Sequence, residues 1–275
     1  MLPGNGREAF MIGPVIGDIA GSRFEFDNCR SKDFELMNHD CFFTDDTVMS
    51  LALCHALLNM KPDRSDLGRL AVSSMQDVGR HYPDCGYGGR FQCWMFSSDP
   101  RPYNSFGNGS AMRVSGCGYV AQSLEDAKAL SGAVTEVTHN HPEGLKGAEA
   151  TAVAVYLART GADMETIRKH IEENYYKIDF TLDEIRPTYA FNETCQDTVP
   201  QAFAAFFEST SFEDAVRNAI SVGGDSDTLA AITCGVAEAY YGVPAALRAK
   251  AESYLDERLL TLLREFETRY PGKEG

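Results

Sequence analysis

The chain has 275 residues, 44% of them hydrophobic and 24% charged, with a formal net charge of −15. Chains of this length hide roughly three quarters of their unfolded surface, so a full core and a globular class are expected. The acidic balance excludes nonspecific nucleic-acid binding, which needs clustered Lys and Arg, and disfavours anionic membrane surfaces. No apolar run approaches the roughly 20 residues that cross a bilayer, and no basic and apolar leader opens the chain. Cysteines at 29, 41, 54, 85, 93, 117, 195 and 234 form no CxxC pair, which argues against zinc. The expectation is a single domain, 1–275, monomeric, in a reducing cytoplasm.

In chain order, small residues Gly17, Ala20, Gly21 and Ser22 predict close packing of an early helix, and Glu25 beyond them reads as a surface carboxylate after a turn. Thr44-Asp45-Asp46-Thr47 precedes VMSLALCHALL, a helix apolar nearly all round. All-round apolarity places a helix at the centre of a bundle. Leu67, Leu70, Ala71, Met75 and Val78 recur at helical spacing. Residues 81–115, rich in Gly, Pro, Tyr, Phe and Asn, read as a long loop of the functional kind. Within it, Gly86-Tyr87-Gly88-Gly89 and Gly107-Asn108-Gly109-Ser110-Ala111-Met112-Arg113 are either tight turns or nests of backbone amides for phosphate. Helical period returns at Leu124, Ala127, Leu130, Val134 and Val137. Thr138-His139-Asn140-His141-Pro142-Glu143-Gly144 then leads into another helix, with the two histidines read as local hydrogen-bonding groups rather than metal ligands. The stretches 145–157, 164–175 and 199–207 keep the period. Gly223-Gly224-Asp225-Ser226-Asp227-Thr228 precedes a second all-round apolar helix, LAAITCGVAEAYYG, where Gly235 admits a close neighbour. One long pattern, 247–266, closes the chain. Period-2 alternation is scarce and no βαβ rhythm occurs, so the expected class is all-α.

Thr and Asp are favoured helix N-caps, and capping alone explains either acidic motif. Together, however, they place the carboxylates of Asp45, Asp46, Asp225 and Asp227 and the hydroxyls of Thr44 and Thr228 before two central helices. An unpaired carboxylate there costs on the order of several kcal/mol. A hard divalent cation resolves the conflict: the all-oxygen set suits Mg²⁺ or Mn²⁺, and so much carboxylate favours two ions over one. The idea requires the motifs to lie within about 10 Å, since metal–oxygen bonds span about 2 Å. A two-metal phosphohydrolase needs the same clustering.

Taken in order, GDIAGSRFE, FFTDDTVM, GYGG, GNGSAMRV, THNHPEG and GGDSDTLAAI resemble the ADP-ribosylglycohydrolase family, from about residue 11 to about 242. The resemblance implies a compact orthogonal helical bundle with a central dinuclear metal cleft. It implies Thr44, Asp45, Asp46, Asp225, Asp227 and Thr228 as ligands of two Mg²⁺ or Mn²⁺ ions. It makes Glu25, with Asp45 and Asp46, catalytic, Glu25 being an acid/base or a metal-linked group. For ADP-ribose it implies Gly86, Tyr87, Gly88, Phe106, Gly107, Asn108, Gly109, Ser110, Met112, His139 and Ser226, and the neighbourhood adds Tyr103 beside Phe106 near the adenine. The activity implied is hydrolysis of the glycosidic bond between ADP-ribose and a modified protein or small conjugate. Arginine-linked ADP-ribose is preferred, with serine-linked or small conjugates as alternatives, and a non-catalytic ADP-ribose-binding module would use the same loops. Residues 178–198 are the expected source of selectivity for the attachment.

Overall fold

The computed structural model describes residues 11–271, and among them are fourteen α-helices and no β-strand. First come α1 (Ile12–Ser22), α2 (Asp45–Asn59), α3 (Leu67–Gly79) and α4 (Gly89–Phe96). There follow α5 (Ser115–Val120), α6 (Leu124–Thr135), α7 (Pro142–Thr160), α8 (Met164–Asn174) and α9 (Leu182–Ile185). The chain then forms α10 (Cys195–Phe207), α11 (Phe212–Val222), α12 (Ser226–Tyr241), α13 (Ala245–Glu252) and α14 (Glu257–Arg269). No helix among the described residues is long and apolar enough to cross a membrane.

The helix starts follow from their caps. Side chains of Ser123, Asp163, Ser211 and Asp256 accept amide hydrogens in the first turns of α6, α8, α11 and α14. Each satisfies a donor that has no partner inside the helix. Thr181 and Glu184 form a reciprocal capping box on α9. Helix α7 begins with Pro142 at its first position and ends on Gly161, whose φ of 94° only glycine adopts readily.

Two elements differ from the periodicity reading. The 81–115 stretch is not all loop: it contains α4 and a turn of 3₁₀ helix at Asn108–Ser110. Helix α4 buries only Phe91, Trp94 and Met95, too few positions for a period to show. The closing pattern is two helices, because Asp256 caps a fresh start by accepting from Leu259 N at 3.0 Å. Apolar spacing runs through the break and hides it.

The core centres on α12, buried from Ser226 to Ala239 and packed on α1, α7, α10 and α11. Its closest partner is α1, and the reason is a glycine stripe. Gly13, Gly17 and Gly21, four residues apart on one face, lie directly against α12. A Cβ on Gly17 would enter the Ala230 carbonyl, and one on Gly21 would sit 2.5 Å from the Asp227 Cα. The two backbones therefore approach closer than side chains normally allow. Gly235 serves α5 likewise, since a Cβ there would collide with Ser115 Oγ. This packing decides where Glu25, just beyond α1, stands relative to Asp225 and Asp227.

Candidate active site

The start of α2 is organised by Asp18, a carboxylate that the sequence motif contained without a role. Asp18 is fully buried in α1. It accepts hydrogen bonds from Thr44 N (2.9 Å), Thr44 Oγ1 (2.7 Å) and Thr47 N (3.0 Å). Thr44 thus gives its proton to Asp18 and keeps its lone pairs. One accepts from Asp46 N at 3.3 Å, capping α2, while Thr44 still lines the cleft described below. Replacing Asp18 by alanine strands buried donors, each costing about 1–3 kcal/mol. Asp18→Ala is expected to lose about 3 kcal/mol or more of stability in urea unfolding. A loss under about 1 kcal/mol would show that the α2 start holds itself.

The second motif departs from simple capping. Asp225 occupies the N-cap position of α12 yet makes no cap bond. Its Oδ2 instead accepts from Asn108 Nδ2 at 2.7 Å. Gly223 and Gly224 reach it with φ of 75° and 73°, the unusual path expected of the double glycine. Asn28 clamps that path: its Oδ1 accepts from Gly224 N (2.8 Å), and its Nδ2 donates to Gly224 O (2.9 Å) and Phe24 O (2.7 Å). The 24–28 turn is thereby tied to the second motif. Glu25 is consequently no surface carboxylate: it is half-buried, and one oxygen each of Glu25, Asp225 and Asp227 lie within 4.8 Å of one another. The two motifs also meet directly, Thr228 Oγ1 donating to Asp46 Oδ2 at 3.2 Å. The other Asp46 oxygen, Oδ1, is buried without a partner.

Such crowding shows in proton affinity. Burial lifts Asp18 to about 6, despite its hydrogen bonds. Burial and the charges of Asp225 and Asp18 lift Glu25 to about 7. Burial, then Asp18 and Asp225, lift Asp45 to about 8. Asp46 and Asp227 are pushed well above the carboxylate range by burial and by their acidic neighbours. Like charges at low dielectric hold protons unless a cation takes their place. The unpartnered Asp46 Oδ1 and the all-oxygen donor set fit a hard divalent ion.

Glu25, Asp45, Asp46, Asp225 and Asp227, with Thr44 and Thr228, line a cleft of about 310 Å³. A second group of lining residues differs in character: Gly86, Gly88, Gly89, Gly107, Asn108, Gly109, Met112 and His139, with Arg90, Arg113, Tyr103 and Ser105. Asp45 joins the two, since its amide donates to Cys85 O at 2.7 Å beside Gly86, whose φ is 97°. His139 is fixed from behind. Arg113 Nη2 donates to Thr138 Oγ1 at 2.7 Å, and Thr138 Oγ1 lies 2.7 Å from His139 Nδ1. Arg113 Nη2 also lies 3.4 Å from His139 Nδ1, and because arginine only donates, Nδ1 is an acceptor and the threonine donates to it. The imidazole proton therefore sits on Nε2, the nitrogen nearest the 107–109 turn, and burial with the Arg113 charge keeps the ring neutral by lowering its pKa well below the usual range. Burial lowers Arg113 only to about 10, so it stays a cation at neutral pH. Glycine amides, a neutral N–H donor and a buried guanidinium together suit an anion such as a phosphate.

Four residues expected at the ADP-ribose do not line the cleft. Tyr87 is buried against Phe91, ring centroids 5.7 Å apart. Phe106 is exposed and packs on His141 at 5.2 Å. Ser110 is fully buried and donates to Gly144 O at 2.8 Å. Ser226 is fully buried and donates to Phe24 O at 3.3 Å. Successive residues of a tight turn point in different directions, and a motif does not say which. Conversely, Asn28, Arg90, Ser105 and Glu193 are at or behind the cleft without having been singled out, and Asp18 and Arg113, which stood inside quoted motifs, had been given no role of their own. Asp18 was signalled by being the one charge in IGPVIGDIAGS. Glu193 had no sequence signal beyond its place in 178–198.

The family model for ADP-ribosylglycohydrolase matches residues 8–273. The chain is similar to ADP-ribosylhydrolase ARH3 of Bos taurus, 28% identical over 79% of this chain and 76% of the relative. It is also similar to ADP-ribosylarginine hydrolase Tri1 of Pseudomonas putida (strain GB-1), 27% identical over 85% of this chain and 70% of that one. A solved structure, an ADP-ribosylglycohydrolase-related protein complex, superposes with a TM-score of 0.69 at 22% identity, covering 94% of this chain and 95% of the other. With the family match spanning nearly every residue, the chain belongs to the ADP-ribosylglycohydrolase family, a family of hydrolases.

Proposed function

We propose that the chain, acting as one domain, hydrolyses the glycosidic bond between ADP-ribose and a modified target, with arginine-linked ADP-ribose as its substrate. Two divalent cations, Mg²⁺ or Mn²⁺, would be held by Thr44, Asp45, Asp46, Asp225, Asp227 and Thr228. The observation that carries this reading is one cleft joining two unlike halves. Crowded carboxylates, including the orphaned Asp46 Oδ1, meet an anion pocket of glycine amides, His139 and Arg113. A pyrophosphate belongs in the second half and its distal ribose in the first. Cations bound there would supply Lewis acidity beside the sugar.

The chain's own groups account for the remaining demands. The glycines at 88, 89 and 109 and the Nε2–H of His139 fix the phosphates, which orients the sugar for attack. The carboxylates of Asp45 and Asp46 favour positive charge developing at the anomeric carbon. Glu25 lines the same cleft, one of its oxygens within 4.8 Å of oxygens of Asp225 and Asp227. From that place a carboxyl group can give a proton to the departing atom or take one from the attacking water.

Release of free ADP-ribose from arginine- and serine-modified proteins, with Mg²⁺, with Mn²⁺ and with chelator, tests the reading. Metal-dependent release is expected. Full turnover in excess chelator removes the metal from the mechanism. AMP as product indicates phosphohydrolysis, and tight binding of ADP-ribose without release indicates a binding module.

A further inference from the structure

Beside Glu25 lies a surface feature that holding ADP-ribose does not require. Phe26 and Phe191 are 84% and 42% exposed, and their rings stack with centroids 5.7 Å apart and planes 27° apart. Each neighbours a carboxylate of the cleft wall: Glu25 precedes Phe26, and Glu193 follows Phe191 by two positions. The backbone under both rings is clamped. Asn28 holds the 24–28 turn against Gly224. Glu193 O accepts from Asn108 N at 2.7 Å, Cys195 N donates to Phe106 O at 3.0 Å, and Asn192 Oδ1 accepts from Thr194 N at 2.8 Å. Two large apolar rings are thus displayed in water on fixed segments, next to acidic groups. The nearby arginines are committed elsewhere, Arg30 to the carbonyls of Arg186 and Tyr189 and Arg23 to the Phe24 ring.

Aromatic faces beside carboxylates are the surroundings a guanidinium selects. Its plane stacks on a ring while its N–H edges pair with carboxylate oxygens. We propose that Phe26, Phe191 and Glu193 form the subsite for the side chain leaving ADP-ribose, and that this subsite takes a planar cation, the guanidinium of arginine. The inference rests on the hydrolase reading, which puts the anomeric carbon beside Glu25. In the reaction, water oxygen bonds to the anomeric carbon and the carbon–nitrogen bond breaks. One water proton stays on the new hydroxyl and the other ends on the departing guanidinium nitrogen. A serine attachment is short and uncharged, and leaves both rings and Glu193 without a partner.

The test compares kcat/KM on arginine-linked and serine-linked ADP-ribosyl substrates for the full chain, for Glu193→Gln and for Phe26→Ala/Phe191→Ala. The unmodified chain is expected to favour the arginine linkage. Each variant should lower the arginine-to-serine ratio about tenfold, mainly through KM, as loss of a stacked or charge-paired contact does. A direct measurement of free ADP-ribose affinity accompanies each variant. An unchanged ratio overturns the subsite, and so does a fall matched by equal loss of ADP-ribose affinity. A chain that prefers the serine linkage overturns the subsite while leaving the hydrolase reading intact. A chain that cleaves neither linkage fails at the hydrolase reading itself and takes the subsite with it.

Discussion

Asp227→Asn is expected to raise the melting temperature of the metal-free protein and to abolish both stabilisation by divalent metal and turnover. Asp227 is buried, and its carboxyl is held well above the ordinary value of 3.8 by burial and then by Asp225, Asp46 and Glu25. Asp18 at about 6, Glu25 at about 7 and Asp45 at about 8 share the direction. Each binds its proton more tightly folded than unfolded. Between the unfolded and folded values the native state carries the extra protons, so stability falls as pH rises. Without metal, the protein should therefore weaken steadily from about pH 4 to about pH 8. Bound cations replace those protons and remove the slope, so chelation should cost far more stability at pH 8 than at pH 5. Asparagine keeps the shape but carries no charge, which relieves the metal-free state and weakens the metal-bound one. Turnover should fall more than about 100-fold, since even partners behind a ligand cost 10–100-fold in metal affinity. Thermal melts with chelator and with Mn²⁺ between pH 5 and 8 check this. A metal-free protein that gains stability with rising pH would falsify the account of a crowded anionic cluster.

Gly21→Ala should damage fold and site together. The added methyl would sit 2.5 Å from Asp227 Cα and 2.6 Å from both Asp227 N and Ser226 O. All three are backbone atoms, which no change of rotamer can move aside. Helices α1 and α12 must separate, and overpacking of this kind costs about 1–3 kcal/mol, at times more. A loss of about 3 kcal/mol in urea unfolding is expected, with weaker metal binding as Glu25 is drawn away from Asp225 and Asp227. Gly132→Ala in α6 is the natural contrast. A Cβ there meets nothing within 4 Å. It should stabilise by up to about 1 kcal/mol through helix propensity. If the two substitutions behave alike, the close approach of α1 to α12 is not what places the second acidic motif.

By itself the sequence determined the helical class, most of the helices and the conflict posed by two acidic motifs placed before apolar helices. Those properties are local. Apolar period repeats within one helix, and a pair of carboxylates before an all-apolar helix is a conflict visible within a dozen residues. The double glycine before Asp225 was legible for the same reason, since its backbone path concerns only its own φ angles. The division of 247–266 was not, because one capping aspartate breaks a helix without disturbing the apolar spacing. Tertiary structure alone decided that Asp18 receives the start of α2, that Asn28 pins Gly224 and that Glu25 turns inward. It also turned Ser110, Ser226, Tyr87 and Phe106 away from the cleft and brought Arg113 behind His139. Each of these depends on which way a side chain faces once distant segments meet: Asp18 and Thr44 are 26 residues apart, Asn28 and Gly224 are 196. Composition and period carry no record of such encounters, because hydrogen-bond partners and burial are created by packing.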